Sequence, residues 1–478
     1  VYIEDREIEI ENNIACTREV TDGDAEKGFK EADIIIERSF SSPRVYHCQL
    51  ETKSCVCRPE PDGSLTLWPT TQALHNTRIL IGEIFGLPLN KVNVVRIPGG
   101  GHFGSGIHTN PVHLITTALS LKAGKPVKIV LSREEDSYEH CRYPSEYTVK
   151  LGAKKDGTLT AGEMELYADI GSHHVQALAY LGVCAGWWHS LYRLPNMKYK
   201  GTAVYTNKAP SCAMQGYGAP QITFGIESMM SILADELGID PVEMRKKNYV
   251  GLGEIFWGQG PTIRSKIHSD GVKELLDRGR EIIGWGQRRK PEEKTGRFRR
   301  GIGMARGFHT SGTGAPVPGE VKDYTTVQVK VNEDGSIDIL TALMDQGGGT
   351  LDAAAKLVAE EFGVSVDMVG ISPADTRSTG YDVCTHATRG VYCGGGAVHE
   401  VAVETKKILF QFASRIMNAP VDSLKICHDE ATGQGLVFVE GMPEKYLSIK
   451  EIAQTAMDND WGTAICSKSV RKVNCPPA

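Results

Sequence analysis

One loop, residues 211–221, has the composition of a turn that holds a ligand. It reads SCAMQGYGAPQ, with an amide at Gln215, a glycine at Gly216 and an aromatic ring at Tyr217. Glycine lets the backbone approach a bulky ligand closely, and an aromatic side chain can form one wall of its pocket. Glycine-rich turns also precede helices for structural reasons alone. The interpretation as a ligand-binding turn is therefore strengthened by three other loops of the same kind in the sequence.

The second of these loops places Gln72 at the end of a predicted strand, residues 64–68. A predicted amphipathic helix, residues 73–85, follows directly. The side-chain amide of Gln72 could donate a hydrogen bond to a ligand oxygen. A polar residue that only caps the helix is the alternative interpretation.

The third loop, residues 98–106, reads PGGGHFGSG. Its glycines Gly99, Gly101 and Gly104 match the Gly-x-Gly-x-x-Gly pattern of dinucleotide sites, in which backbone N–H groups hold a pyrophosphate. In that fold the last glycine packs within the helix, whereas here Asn110-Pro111 delays the helix start. A nicotinamide-dependent dehydrogenase that uses the Gly99–Gly104 loop is therefore kept as an alternative only.

The fourth loop has two glycine-rich parts. Residues 344–350, MDQGGGT, precede a predicted helix that Thr350 caps, and residues 387–390, ATRG, precede a further run of glycines. Consecutive backbone N–H groups at a helix start form an anion site, and Thr388 and Arg389 add a hydroxyl and a cation suited to phosphate. Either part alone is also explained as a simple glycine-rich turn.

The elements that must position these loops are both helices and strands. Asp-Gly pairs at residues 62–63, 156–157 and 334–335 lie between alternating segments and predict three β-hairpins. Further strands are predicted at residues 92–97 and 127–131, and further helices at residues 110–122, 222–237, 242–249 and 351–362. Hairpins beside strand–helix–strand units indicate an α+β (mixed α/β) fold class.

The length of 478 residues predicts two or more domains. We place the first domain at residues 1–250, a connector at 251–274 and the second domain at 275–478. Residues 288–300 are polar and basic, which is typical of a solvated connector.

Composition excludes several classes of function. The net charge of −6 gives no basic field for nucleic acid, and no apolar run is long enough to predict a membrane span. The 12 cysteines are scattered, without a Cys-x-x-Cys pair, so neither a structural zinc site nor an iron–sulfur cluster is predicted in this chain. Scattered cysteines in a large chain favour a reduced, cytoplasmic protein.

Together the loops resemble the molybdenum-cofactor-binding subunit of the xanthine dehydrogenase / aldehyde oxidoreductase family, the molybdenum hydroxylases. The resemblance extends over about residues 32–427 and implies two elongated molybdopterin-binding domains. Its motifs, in the family's order and spacing, are Ala32–Glu37, His47 and Glu51, Thr71-Gln72, Gly100–Gly104, Leu131–Asp136, Asp156-Gly157, Leu194–Asn196, Ala213–Gln221 and Gln346-Gly347.

The resemblance implies that no side chain ligates molybdenum directly, because the dithiolene of a pyranopterin holds the metal. Gln72 would donate to a metal oxo group, which also makes it the one catalytic candidate in this chain. The implied cofactor-binding set is Gln72, Phe103, Gly104, Gln215, Gly216, Met344, Asp345, Gln346, Gly347, Ala387, Thr388, Arg389 and Gly390. The implied substrate set is Ile107, Val183 and Tyr217, and we expect His47 and Glu51 to be buried structural residues.

Members of the family hydroxylate an electron-poor carbon with oxygen from water, while hydride passes to a terminal sulfido or selenido ligand of the metal. Electrons then leave through 2Fe-2S clusters to FAD. This sequence has neither the cluster cysteines nor an FAD domain, so the resemblance implies separate 2Fe-2S and FAD subunits. It leaves open whether the molybdopterin is the cytosine dinucleotide form.

The sequence departs from the family at three positions of the site. Gln215 stands where the family usually has arginine, which keeps a donor but loses a fixed cation. Ile107 and Val183 fall where xanthine-specific members have a substrate-binding glutamate and arginine. Apolar residues would leave the polar edges of xanthine unpaired, so we expect an aldehyde or another aromatic or N-heterocyclic substrate.

The family's catalytic glutamate lies in a Gly-x-Gly-Glu loop that this sequence lacks, so the general base is unknown. The resemblance also predicts that the family's N-terminal small domain is missing from this sequence. We expect a second molybdenum-subunit chain or a missing C-terminal segment to supply the base. A non-catalytic scaffold paralogue is the second alternative, motivated by Gln215 and the absent glutamate.

Overall fold

The computed structural model describes residues 11–173, 175–257, 264–287, 297–298, 301–309, 311–312 and 324–470. Helices and sheets are mixed throughout these residues, which confirms the mixed α/β fold class. The chain forms two compact units, each assembled from separate stretches. The first unit combines residues 11–47 with 140–309, and the second combines 48–139 with 311–470. The predicted domain limits 1–250, 251–274 and 275–478 stay a prediction.

The elements are numbered in chain order. Residues 11–47 form β1 Ile14–Asp22, α1 Ala25–Lys30, β2 Ile34–Ser42 and β3 Val45–Tyr46. Residues 48–139 form β4 Ser54–Pro59, β5 Leu65–Pro69, α2 Leu74–Phe85, β6 Val92–Val94, α3 Pro111–Ala123, β7 Val127–Val130 and α4 Arg133–Ser137. Residues 140–309 form β8 Cys141–Arg142, β9 Ser145–Ala153, β10 Leu159–Gly171, α5 Ala177–Leu191, β11 Met197–Tyr205, β12 Ser211–Cys212, α6 Ala219–Leu237, α7 Pro241–Asn248, β13 Ile255–Trp257, β14 Arg264–Lys266 and α8 Val272–Ile282. Residues 311–470 form β15 Thr325–Val331, β16 Ile337–Thr341, α9 Thr350–Phe362, β17 Val369–Ile371, α10 Gly396–Met417, β18 Leu424–His428, β19 Gly435–Val439, β20 Met442–Ser448, α11 Ile449–Asp458 and β21 Ile465–Val470.

The first unit is built on a five-stranded sheet in the order β1-β11-β10-β9-β2. Only β10 and β11 run parallel in it. Helix α5 is apolar on nearly all sides and lies in the core, with Trp187 and Trp188 each 1% exposed. A helix that is apolar all round must be buried in this way. Helix α6 packs against α5 and the sheet through a single apolar face.

The second unit contains three sheets, in the orders β6-β5-β4-β7, β17-β16-β15-β21 and β18-β19-β20. Helices α9 and α10 pack together, and α10 lies on β15 and β21. The sheet β6-β5-β4-β7 has its own small core, which includes Cys55, Cys57, Leu67 and Met344. The unit thereby gives a rigid support to the loops at its strand ends.

All three predicted hairpins are confirmed, at β4–β5, β9–β10 and β15–β16. In each turn the aspartate Oδ1 accepts the N–H two residues later, at 3.0 Å for Asp62, 3.0 Å for Asp156 and 2.9 Å for Asp334. The glycine that follows each aspartate has a positive φ of 78°, 86° and 86°, respectively. The Asp-Gly signal therefore works here through a side-chain cap and a left-handed residue together.

Two predicted boundaries were wrong by three residues, and one predicted helix cap was wrong. Helix α6 begins at Ala219 rather than residue 222, because Gly218 caps it and Pro220 suits a first turn. Strand β6 ends at Val94 rather than residue 97, because Val95 forms a bridge with Asp375 and the Arg96 N–H donates to Ala374 O at 2.9 Å. Thr350 is the first residue of α9 and does not cap it, since Gly349 holds the cap position.

The predicted connector 288–300 lies outside the described residues, apart from residues 297 and 298. No helix in the described part of the chain has the length and apolar character needed to cross a membrane.

Candidate functional site

Gln72 joins three of the four predicted loops, all in the second unit. Its side-chain Nε2 donates to the Thr385 carbonyl at 2.5 Å, and its Oε1 accepts the Gly106 N–H at 3.3 Å. Its backbone N–H donates to Gly106 O at 3.0 Å, and its own carbonyl accepts the Thr385 N–H at 3.1 Å. Gln346 Nε2 donates to the same Thr385 carbonyl at 3.3 Å. Two amides therefore converge on one carbonyl, which sequence patterns did not reveal.

The loop 99–106 leaves backbone donors free at its tip. Phe103 has a φ of 53° and Gly104 a φ of 116°. A non-glycine residue with positive φ is strained, and such strain concentrates at functional sites. Within the described residues, neither the Phe103 N–H nor the Gly104 N–H has an acceptor. The tip is therefore a pair of consecutive donors suited to an anionic oxygen.

Ile107 closes the same loop. It is half-buried, and its N–H donates to Gly104 O at 3.2 Å. Helix α3 begins only at Pro111, so Gly104 lies in a turn and outside any helix. This arrangement differs from a dinucleotide fold, in which the last glycine packs within the helix.

Glu51 holds the other end of this loop, although it is half-buried and not buried as predicted. Its Oε2 accepts the Gly100 N–H at 2.6 Å, and its own N–H donates to Gly100 O at 3.3 Å. A Cβ added at Gly100 would lie 2.5 Å from Glu51 Cβ. The close approach explains why glycine occupies this position.

We therefore expect Gly100→Ala to lower the stability of the chain by about 1–3 kcal/mol, the usual cost of overpacking. The atom in the way, Glu51 Cβ, is next to the backbone and cannot swing aside. Gly348→Ala is the matched control, because no heavy atom lies within 4 Å of the added Cβ there. Thermal unfolding of the two variants and the parent chain measures the difference. Equal midpoints for both variants would contradict the steric argument.

In the fourth loop, a carboxylate of the protein already occupies the anion site at the start of α9. The Asp345 carboxylate accepts the N–H groups of Gly347 at 2.8 Å, Gly349 at 3.2 Å and Leu351 at 3.2 Å. A phosphate at this helix start would have to compete with that carboxylate. The side chain of Met344 is 2% exposed and belongs to the core. The assignment of Met344, Asp345, Gln346 and Gly347 to cofactor binding stays a prediction.

Arg389 points its guanidinium into the second unit. It is 0% exposed, pairs with Asp382 at 3.3 Å and donates to the Cys384 carbonyl at 3.1 Å and to Thr325 Oγ1 at 2.9 Å. The predicted phosphate contact therefore has no support from the direction of this side chain. Arg389 instead fixes the strained loop before it.

That loop has three strained non-glycine residues. The φ values are 148° for Cys384, 47° for Ala387 and 55° for Thr388, and a π-helical segment, Gly390–Gly395, follows. The Thr388 side chain is exposed. Within the described residues, the N–H groups of Ala387 and Thr388 have no acceptor. These two donors are therefore the better candidates for an anion contact in this loop.

The loop 211–221 lies in the first unit. Buried His47 holds it, with Nε2 at 2.8 Å from Ala213 O. Gln215 is exposed, Gly216 has a φ of 87°, and the half-buried Tyr217 bonds through its hydroxyl to Gln176 O at 2.9 Å. Val183 of α5 is 1% exposed and lies beneath Gly218, where an added Cβ would be 3.0 Å from Val183 Cγ2. Val183 could influence a substrate only through that loop, and its assignment stays a prediction.

Buried ionisable groups lie behind the tip of loop 99–106. Lys53 is 2% exposed and donates from Nζ to Ser105 Oγ at 2.7 Å. Burial lowers the pKa of His102 to about 4, with the positive charge of Lys53 adding to the effect and Asp136 opposing it. Burial also lowers the pKa of His113 to about 3. Both imidazoles are therefore neutral at physiological pH. No sequence pattern singled out Lys53, because a single lysine near a strand start usually faces solvent.

In the described part of the chain, no group of three or more His, Cys, Asp or Glu side chains is placed to hold a metal ion. The site can thus offer backbone donors, two amides and glycine-rich turns to a ligand that carries its own metal or anion.

Comparison with known proteins decides the family. Models described as molybdopterin cofactor-binding domain match residues 7–249 and 278–470. The chain belongs to the molybdopterin cofactor-binding family of the xanthine dehydrogenase / aldehyde oxidoreductase type. This confirms the resemblance read from the loops.

Individual relatives agree with this membership. The chain is 29% identical over 476 residues to the xanthine dehydrogenase molybdenum-binding subunit of Escherichia coli O157:H7, covering 98% of this chain and 61% of that protein. It is 31% identical over 272 residues to the nicotinate dehydrogenase large molybdopterin subunit of Eubacterium barkeri, covering 57% of this chain and 63% of that protein. The chain thus spans about three fifths of the length of such relatives.

The fold has solved counterparts. Quinoline 2-oxidoreductase from Pseudomonas putida 86 superposes with a TM-score of 0.84 at 22% identity, over 96% of this chain and 59% of that one. This molybdopterin-binding chain therefore shares its fold with that enzyme.

Proposed function

We propose that the chain is part of a molybdenum hydroxylase that oxidises an aldehyde or an aromatic or N-heterocyclic substrate with oxygen from water. The observation that carries the proposal is the junction at Gln72. It joins the loops around residues 104, 346 and 385 beside the Phe103 and Gly104 N–H groups, which have no acceptor in the described part of the chain.

The residues of the second unit fit a molybdopterin. A pterin with an anionic metal centre needs fixed backbone donors and turns that a Cβ would obstruct. Phe103, Gly104, Ala387 and Thr388 offer N–H groups without acceptors in the described chain. Gly347 and Gly349 have φ values of 98° and 75°, and no heavy atom lies within 4 Å of a Cβ added at either. The turn therefore has open space beside it for a flat ring.

When bound, molybdopterin would supply the two-electron chemistry that protein side chains lack. The residues of this chain would bind and orient it. Gln72 and the Phe103–Gly104 donors would hold anionic oxygen, and Gln346, Gly347 and the 387–390 segment would hold the pterin. The roles of Gln215 and Gly216 in cofactor binding and of Tyr217 in substrate binding are implied by the family resemblance. The general base is assigned to no residue here.

The substrate class rests on Ile107 and on the relatives. Xanthine would need a charged contact at the position of Ile107, which is apolar. This residue therefore favours a less polar substrate. Two of the relatives are named for xanthine and nicotinate, which are both N-heterocycles. An N-heterocycle or an aldehyde is therefore the class to screen first.

The proposed reaction passes electrons to 2Fe-2S and FAD subunits in a cytoplasmic complex. The relatives named as a molybdenum-binding subunit and a large molybdopterin subunit support partner subunits for this chain. The cytosine dinucleotide form of the cofactor is an open variant of the proposal.

Elemental analysis of the natively purified complex tests the function. We expect about one molybdenum per copy of this chain, together with iron from the partner subunits. Selenium measured in the same sample separates a selenido from a sulfido ligand.

A folded, intact complex without molybdenum would overturn the proposal. It would favour the non-catalytic scaffold paralogue that Gln215 suggests. Thermal stabilisation by NAD would then test the remaining dehydrogenase alternative.

A further inference from the structure

A buried lysine lies at the start of a hydrogen-bond chain that ends on loop 99–106. Lys53 Nζ donates to Ser105 Oγ at 2.7 Å, and the Ser105 hydroxyl donates to the His102 carbonyl at 2.8 Å. The Ser105 N–H donates to the same carbonyl at 3.0 Å. The hydroxyl thus accepts from the cation and donates to the peptide, so both bonds strengthen each other.

The carbonyl at the end of this chain belongs to a peptide with a free N–H. The His102 C=O and the Phe103 N–H are the two ends of one peptide group. Within the described residues this N–H has no acceptor, and the positive φ of Phe103, 53°, sets its direction. Electron density withdrawn at the carbonyl makes the N–H of the same peptide a stronger donor.

Among the described groups around Ser105, Lys53 is the cation that donates to its hydroxyl. His102 and His113 are buried and neutral at physiological pH. Asp136 accepts from the Lys53 backbone N–H and from Gln49 Nε2, both at 2.7 Å. Burial raises the pKa of Glu139 to about 7, with Asp136 adding to the effect and Lys53 opposing it. Arg133 is directed at the carbonyls of Gln49 and Leu50, 2.6 and 2.7 Å away.

Burying the Lys53 side chain behind loop 99–106 costs free energy. Removing an ammonium from water disfavours its charged form, and an apolar side chain of similar length would fill the volume without that cost. The Lys53 ammonium donates to Ser105 Oγ, and its positive charge lowers the pKa values of His102 and Glu139.

We propose that Lys53 is a positioning residue that, through the Ser105 hydroxyl, polarises the His102–Phe103 peptide and strengthens the Phe103 N–H as a donor to an anionic oxygen. The polarisation is a property of this chain alone. Its use toward the bound molybdopterin rests on the proposed function.

The first test measures the peptide itself, in the full-length chain without cofactor. Isotope-labelled phenylalanine gives one amide NMR resonance per phenylalanine, and Phe103→Leu identifies that of residue 103. We expect Ser105→Ala and Lys53→Met to move this resonance upfield, toward the position of a weaker donor. Ser120→Ala is the matched control, because Ser120 is equally buried and its hydroxyl donates to the carbonyls of Cys57 and Lys125.

Ser105→Ala removes only one oxygen and is the milder of the two substitutions. It therefore keeps the test decisive if Lys53→Met fails to fold. An unmoved Phe103 resonance in folded Ser105→Ala would overturn the proposal, whatever metal the protein binds. The test therefore separates this proposal from the proposed function.

The second test uses the assembled complex with molybdenum measured per chain. Loss of a whole anion donor typically costs about 100–1,000-fold in turnover, so a weakened donor is expected to cost about tenfold in kcat. KM should stay the same, because Lys53 does not touch the substrate. A rise in KM with unchanged kcat in Ser105→Ala would assign the residue to substrate binding and overturn the positioning role.

Discussion

Replacing Arg245 by methionine is expected to destabilise the chain by about 3–5 kcal/mol, the usual cost of leaving a buried charge without its partner. Arg245 is 0% exposed, and its Nε donates to Glu227 Oε2 at 2.7 Å. Its other nitrogens donate to the Glu227 carbonyl, the Ser231 hydroxyl and the Pro241 carbonyl. Glu227 also accepts from the Tyr192 hydroxyl. Urea unfolding of the purified full-length chain, followed by tryptophan fluorescence, measures the loss.

Two further variants separate the buried charge from a general effect of losing arginine. Arg280→Met removes an exposed ion pair, with Arg280 Nη1 2.9 Å from Glu243 Oε1, and should cost about 0–1 kcal/mol. Adding Glu227→Gln to Arg245→Met removes the stranded carboxylate while keeping an acceptor for Tyr192. The double variant should recover a large part of the stability. If it is less stable than Arg245→Met alone, the uncompensated charge is not the cause of the loss.

The sequence predicted α6 and α7 but gave no sign of this ion pair. Both helices are visible from their apolar spacing and from the Asp240-Pro241 start signal. Glu227 and Arg245 are residue types that normally face solvent, and only the packing of one helix on the other turns them inward. Local patterns predict elements well because caps and turns are local interactions. Contacts between elements depend on a tertiary arrangement that no short segment contains.

The site also contains features that sequence patterns predict and others that they do not. The loops of the site were predictable because glycine is needed where the backbone packs closely, as at Gly100, or has a positive φ, as at Gly104. These needs exist before any ligand binds. Charged side chains are harder to assign, since Asp345 and Arg389 have the chemistry of ligand contacts but also bond to groups of their own unit, and their contact with the cofactor stays a prediction. Thr385 could not be found at all, because it contributes a carbonyl, which every residue type has.

Gln72 is the most informative residue of the site to substitute, because its side chain and its backbone make separate contacts. Its backbone ties to Gly106 and Thr385 do not depend on the side chain. Gln346 also donates to the Thr385 carbonyl. Removing the Gln72 amide therefore leaves the loops joined, and the variant reports on the lost donor more than on a collapsed fold.

We expect Gln72→Leu to lower kcat per bound molybdenum by about 100–1,000-fold, the typical cost of removing one donor to a developing anion. Asn76→Leu is the matched control, because the Asn76 amide donates to the Val383 carbonyl of the same loop at 2.9 Å and has no proposed contact with the cofactor. Steady-state kinetics of the reconstituted complexes, normalised to molybdenum content, measure both variants. A similar loss in both would mean that the amides only hold the loop in place. Full turnover in Gln72→Leu, at normal molybdenum content, would remove Gln72 from the catalytic residues.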